Sequence, residues 1–285
     1  MISSRSKRRS WNKPVRLPFS KMHGCGNDFL VCEALSRPVT LEAAIIKRLA
    51  DRHFGVGFDQ LLLIEPPLRP TSDFALAIYN SDGSQAGHCG NGARCVARFV
   101  FDNAFSHKQA LTWDVASEDG PLDCFVTRRH SEASFTVEMG VPSFSIEKMP
   151  SALRADARQA GEFLFVIDTA EFTPVHLGNP HAVFMVDNTD TALVDGIEGV
   201  NAGYCQVIDR GHLRLRVFER GVGETLACGS GACAAAAAAH ILGRTDASVS
   251  IDVPGGMLEV DWRGSGTTIE LRGPAQTCFR GSASL

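Results

Sequence analysis

The residues best suited to chemistry in this sequence are two cysteines set in the same short motif. Cys89-Gly90-Asn91-Gly92-Ala93 lies in the first half and Cys228-Gly229-Ser230-Gly231-Ala232 in the second. A free thiol has a pKa near ~8.5 and is mostly protonated at neutral pH. A helix N-terminus offers unpaired N–H groups and the positive end of the dipole, and both favour the thiolate. Glycine after the cysteine lets the backbone approach a ligand closely, and the same N–H groups can hold a carboxylate. If each motif opens a helix and the two copies face each other, one thiol lies on either side of a substrate α-carbon. One removes the α-proton, the other delivers a proton, and the centre inverts, with the dipoles stabilising the carbanion. The plain alternative is two buried cysteines at glycine-rich turns.

The surrounding elements support a duplicated frame. His23-Gly24-Cys25-Gly26-Asn27 precedes the first motif and His176-Leu177-Gly178-Asn179 the second. Each half thus carries His, a Gly-Asn turn and then Cys-Gly-x-Gly-Ala in the same order. Helices are expected over about 91–102 and about 230–242, the second stopping at Gly243. Thr40 is expected to cap a helix carrying Leu41, Ile45 and Leu49. Alternation of Phe74, Leu76 and Ile78, and of Leu213, Leu215 and Val217, reads as half-buried strands. Val249, Ile251 and Val253, then Pro254-Gly255-Gly256, then Leu258, Val260 and Trp262 read as a hairpin. The fold expected is mixed α+β: two pseudo-symmetric halves, each a mainly antiparallel sheet around a central helix, with the active site in the cleft between them. The halves are residues 17–138 with about 274–285, and residues 139–273. Residues 1–16 form a basic tail, expected to lack order, in which Arg5, Lys7, Arg8, Arg9, Lys13 and Arg16 precede the first acid, Asp28.

Composition excludes several classes. The chain has 285 residues, 44% hydrophobic content and a net charge of −4, with no basic stripe through its body, so nucleic acid is not the expected partner. Its longest helical apolar run, the alanine-rich stretch Ala234 to Ala239, is too short to span a membrane. Nine cysteines without a secretory signal point to a reducing cytoplasm, and the absence of a C-x-x-C pair argues against zinc. Cys25, Cys32, Cys95, Cys124, Cys205, Cys233 and Cys278 are read as core residues. No dinucleotide fingerprint is complete and no lysine sits in a phosphate-binding context. Neither a cofactor nor a metal is expected.

Across the chain from about Phe19, these motifs resemble the diaminopimelate epimerase family. The matching stretches are Lys21-Met22-His23-Gly24-Cys25-Gly26-Asn27-Asp28-Phe29, Gly55-Val56-Gly57-Phe58-Asp59-Gln60 and Cys89-Gly90-Asn91-Gly92-Ala93-Arg94-Cys95. Gly178-Asn179-Pro180-His181, Glu219-Arg220-Gly221 and Glu224-Thr225-Leu226-Ala227-Cys228-Gly229-Ser230-Gly231-Ala232 follow. The resemblance implies a cofactor-independent, homodimeric epimerase interconverting LL- and meso-diaminopimelate in lysine and peptidoglycan-precursor synthesis. It implies Cys89 and Cys228 as the acid/base pair, with His181 and Glu219 tuning them. It further implies a substrate site lined by Asn27, Gln60, Asn80, Gly90, Asn91, Asn179, Asn201, Glu219, Arg220, Gly229 and Ser230. Arg220 can fork onto a distal carboxylate, and each asparagine amide can serve an ammonium or a carboxylate. Departures from the family pattern are His88, where a neutral polar residue is usual, Cys25, where a Leu-like residue is usual, and a looser 201–207 segment.

Three further readings compete with this one. A racemase of another amino acid on the same fold (proline-type or histidine-type) shares the two-thiol logic but not the distal set of Asn80, Asn179, Asn201 and Arg220. A thiol hydrolase pairing one cysteine with His181 leaves the second cysteine idle. A non-catalytic binding protein on the same scaffold would show no solvent exchange.

Overall fold

The computed structural model describes residues 16–87, 89–115, 122–128 and 134–285, without side-chain detail for 122–128. The basic tail up to residue 15, His88 and the side chain of Cys124 lie outside the described residues. Arg16, expected in the tail, instead opens the first strand.

The first half holds β1 (Arg16–Gly24), β2 (Asn27–Glu33), α1 (Ala43–Ala50), β3 (Gln60–Glu65), β4 (Phe74–Asn80) and β5 (Gln85–Ala86). After them come α2 (Gly90–Asp102), β6 (Ala110–Val115), β7 (Leu122–Arg128) and β8 (Ser134–Glu138). The second half adds α3 (Ser151–Asp156), β9 (Arg158–Gln159), β10 (Phe165–Ile167), β11 (Ala170–His176), β12 (Pro180–Met185), β13 (Asn201–Asp209), β14 (His212–Glu219) and β15 (Gly223–Thr225). It closes with α4 (Gly229–Ile241), β16 (Ser248–Val253), β17 (Gly256–Asp261) and β18 (Glu270–Pro274), and the last strand, β19 (Gln276–Ser284), returns to β1 of the first half.

The duplication is written in the strand pairings. From β1 to β8 the senses run antiparallel (β1–β2), parallel (β2–β3), antiparallel (β3–β4), parallel (β4–β6) and antiparallel twice (β6–β7, β7–β8). From β11 to β18 the same six senses recur in the same order. Short β5 pairs with β4 as β15 pairs with β14, and each leads into a long helix. The pairing of β8 with β18 joins the two series, and the final strand β19 lies against β1. The registers then superimpose the halves residue by residue. Phe29 corresponds to His181, Gln60 to Asn201, Asn80 to Glu219 and Cys89 to Cys228.

Both faces of much of the sheet are covered, which is why the Leu61-Leu62-Leu63-Ile64 run in β3 does not alternate. The inner faces wrap α2 and α4 in one shared core. On the outside of the first half, Ile46 and Leu49 of α1 pack with Leu30, Phe58 and Leu61. On the outside of the second, Leu153 of α3 packs with Phe172 and Phe184. α4 is apolar on all sides, as a helix surrounded by strands must be. Its Ala234–Ala239 run keeps helix propensity high while holding the helix thin.

The expected hairpin forms, with Val253 opposite Gly256. Three expectations need correction. Thr40 does not cap α1: the helix starts at Ala43 behind Glu42, without a side-chain cap bond, because Leu41 is buried ahead of it. Its buried face is Ile46, Leu49 and Ala50, one residue round from the stripe read in the sequence. Cys278 is exposed on β19 rather than in the core.

Candidate active site

Cys89 and Cys228 are the N-cap residues of α2 and α4, each with extended backbone, so each helix begins one residue earlier than expected. The thiol of Cys89 accepts from the Gly92 N–H at 3.4 Å, satisfying one of the amides that a helix start leaves unpaired. The Cys228 sulfur lies 3.7 Å from the Ser230 hydroxyl.

The two helix starts touch. The Asn91 amide nitrogen donates to the carbonyl of Ala227, the residue before Cys228, at 3.2 Å. A Cβ on Gly229 would lie 3.2 Å from the Asn91 side-chain oxygen and 2.9 Å from Leu271. A Cβ on Gly90 would lie 3.1 Å from the same Leu271. Both first helical positions therefore need glycine to let the backbones close on the Leu271 side chain, which extends from β18.

The other anticipated residues sit at equivalent strand ends. Asn27 opens β2, and its amide nitrogen donates to Asp59 at 2.8 Å while its oxygen accepts from Asn91 at 3.2 Å. In the second half Asn179 donates to the Ser230 hydroxyl at 3.2 Å, and its oxygen lies 3.0 Å from the ring of His181. Gln60 opens β3 and donates to Asn80, the last residue of β4, at 3.0 Å. Asn201 opens β13 and accepts from the backbone N–H of Arg220 at 2.9 Å, acting through that residue's position. The Gly26 and Gly178 turns leading into Asn27 and Asn179 have φ of 84° and 78°, so both halves use glycine to reach the site. Cys25 is the extra residue of the first turn, at φ 52° and buried.

Glu219 ends β14, and its charge acts on both thiols. Its carboxylate accepts from the Thr225 hydroxyl at 2.7 Å and lies within hydrogen-bonding reach of Cys228. Burial raises its pKa. His181 is buried, and burial holds its pKa down at about 3, so its imidazole is neutral. Among the described residues it reaches the thiol side through Asn179 and Ser230. Arg220 is exposed, and its guanidinium makes no hydrogen bond or ion pair among the described residues. Among the described residues no group of three His, Cys, Asp or Glu side chains is arranged to hold a metal ion.

The thiols differ from expectation in one respect. A helix amide does bond to the Cys89 sulfur, yet burial dominates. It pushes Cys89 up to about 11, with the Gly92 N–H pulling down and the Glu219 charge adding to the rise. Cys228 is likewise raised well above the ordinary thiol value, by burial and by the Glu219 charge. Without a substrate both groups rest as thiols at neutral pH. Iodoacetamide should therefore modify Cys89 slowly at pH 7. The rate should climb about tenfold per pH unit through pH 10, with no plateau in that range. A plateau reached by pH 8 would show a stabilised thiolate and contradict this geometry.

Three residues that carry the site drew no role from the sequence: Asp59, Arg94 and Leu271. Arg94 alone left a signal there, as the lone charge within an otherwise apolar turn three residues after Asn91.

A doubled frame with a cysteine at the start of each buried helix defines the class. Solved structures at low identity share this fold. One is a phenazine biosynthesis protein of the PhzF family from Bacillus anthracis, with TM-score 0.69, 14% identity, and coverage of 95% of this chain and 100% of that one. Another is a hydroxyproline epimerase from Agrobacterium vitis with bound trans-4-hydroxy-L-proline, with TM-score 0.67, 14% identity, and coverage of 96% and 94%. The family model described as diaminopimelate epimerase matches residues 19–145 and 173–278. A diaminopimelate epimerase of Azoarcus sp. (strain BH72) is 44% identical over 282 residues, covering 95% of this chain and all of that protein. The chain belongs to the diaminopimelate epimerase family.

Proposed function

We propose that this protein interconverts LL- and meso-diaminopimelate by proton transfer between Cys89, the substrate α-carbon and Cys228, without a cofactor. The observation that carries the reading is the meeting of two cysteine-capped helix starts across Asn91 and Ala227. The opening amides of α2 and α4, at Gly90 with Asn91 and at Gly229 with Ser230, have no partners inside their helices. They converge on the place where the substrate α-carboxylate belongs and where carbanion charge develops. Glu219 receives the α-ammonium, and in doing so its charge on the thiols is offset. Asn27, Gln60, Asn80, Asn179 and Arg220 take the distal amino-acid end, and Asn201 holds Arg220 in place. His181 acts on the Cys228 side through Asn179 and Ser230. The proton balance closes over one turnover: a thiolate on one face takes the α-proton, and a thiol on the other gives one up.

In this reading the site lies in the cleft between residues 17–138 with about 274–285 and residues 139–273. The protein acts as a homodimer in the cytoplasm, in lysine and peptidoglycan-precursor synthesis. No helix among the described residues is long and apolar enough to cross a membrane.

The decisive experiment incubates the reduced protein with LL-diaminopimelate in deuterium oxide. The α-carbon should acquire deuterium as meso product accumulates, and proline and histidine should not exchange. Exchange with proline or histidine but not diaminopimelate would assign a racemase of the same fold. No exchange with any of the three would leave only a binding role or a thiol hydrolase.

A further inference from the structure

Arg94 lies in the first turns of α2 and is fully buried. A buried charge without a counter-charge is costly, yet no carboxylate lies within ion-pair distance of this guanidinium among the described residues. Its contacts are the Asn91 side-chain oxygen at 2.8 Å and the carbonyls of Pro274 at 3.2 Å and Gly90 at 3.4 Å. Space for it is made by absent side chains. A Cβ on Gly24 would lie 3.1 Å from its terminal nitrogen, and one on Gly273 would lie 3.2 Å from the guanidinium carbon. The glycines keep the cation directly behind the α2 start.

That contact dictates how the neighbouring amides point. Arginine only donates and a carboxylate only accepts. Arg94 therefore fixes the Asn91 oxygen toward itself, and the Asn91 nitrogen must turn to Asn27 and to the Ala227 carbonyl. At the far end Asp59, held by Arg52 at 2.7 Å, draws the Asn27 nitrogen and leaves the Asn27 oxygen to accept. A cation and an anion at the two ends of the chain thus set the orientation of both asparagines. One link of that chain ties the α2 start to the residue before Cys228.

We propose that Arg94 is a positioning residue of the reaction. One guanidinium nitrogen holds the Asn91 amide while the others hold the Gly90 and Pro274 carbonyls, so the fork fixes how the two helix starts meet, and its charge stands behind the α2 start as the counter-charge to the thiolate and carbanion formed there. Cys89, like its buried neighbours Cys95, Cys25 and Cys233, feels this cation, whereas Cys228 is shifted by burial and by Glu219, Ser230 and Gly231. The inference rests on the two-thiol reading above.

The test follows iodoacetamide modification of Cys89 and Cys228 separately, by peptide mapping, in Arg94→Met and Arg94→Lys, together with kcat and KM. In Arg94→Met, Cys89 should react about tenfold more slowly at each pH from 7 to 9 while Cys228 keeps its rate. Its kcat should fall about 100-fold with KM within about threefold. Arg94→Lys keeps the charge and loses the fork, so Cys89 should regain its wild-type reactivity while kcat stays about tenfold low. An unchanged Cys89 rate in Arg94→Met, or wild-type kcat in Arg94→Lys, overturns the proposal. Should Arg94→Met not fold, the kcat of Arg94→Lys decides alone. Modification rates need no turnover, and wild-type solvent exchange serves as the control. Failure here is therefore separable from failure of the two-thiol reading.

Discussion

Replacing either Cys89 or Cys228 with alanine should lower epimerisation by about 10³-fold or more, since each substitution removes one of two positioned proton carriers. The sharper result concerns exchange without inversion. A variant with one remaining thiol can still reach the α-proton on its own face. Cys89→Ala and Cys228→Ala should therefore each wash solvent deuterium into one epimer only, and not the same one. This follows from the placement of the two sulfurs at the starts of α2 and α4, which meet across Asn91 and Ala227. Mass spectrometry of separated LL- and meso-diaminopimelate reads the outcome directly. Wild-type epimerisation in Cys228→Ala, or the same epimer exchanging in both variants, would sink the two-face arrangement.

Arg220→Met should lower kcat/KM for diaminopimelate by about 100-fold, the size expected when one partner of a charge-assisted contact is removed. The arginine is exposed and its guanidinium has no partner among the described residues, so folding stability should stay within about 0.5 kcal/mol of wild type. Its backbone is fixed by Asn201, which separates a binding loss from a folding loss. The matched control is lysine, which lacks the distal carboxylate. Wild type should bind lysine far more weakly than diaminopimelate, and in Arg220→Met that gap should largely close. An unchanged gap in competitive binding would remove Arg220 from distal recognition.

The chemistry of the site was more legible in the sequence than its support. Cys-Gly-x-Gly-Ala announces a thiol at a helix start through local rules, and those rules operate within a few residues. The ends of β2, β3, β12 and β13 could be matched with each other only once the pairing senses were known. Nothing in the types Asn80 and Glu219 says that they are counterparts, nor in Phe29 and His181. The stripe of α1 was misread by one residue because Leu41 is buried outside the helix, and burial there comes from the sheet rather than from helical periodicity. Burial of the two sulfurs escapes the sequence for a related reason. A helix start favours the thiolate locally, but desolvation depends on everything that encloses the sulfur. Asp59, Arg94 and Leu271 act across the fold, and their roles emerge only where β18 and the turn after β1 come against α2.

The repeated order of pairing senses bears on stereochemistry. A planar carbanion offers two equivalent faces, and a frame with an approximate two-fold axis offers each face the same backbone: a helix start, a glycine and an amide. Main-chain stabilisation of the intermediate is then blind to handedness. Handedness enters through side chains that break the symmetry, such as Asn80 opposite Glu219, Gln60 opposite Asn201, Phe29 opposite His181 and Asn91 opposite Ser230. In such a molecule the backbone sets how fast the centre inverts, and a handful of unlike side chains decides which molecule is allowed to invert.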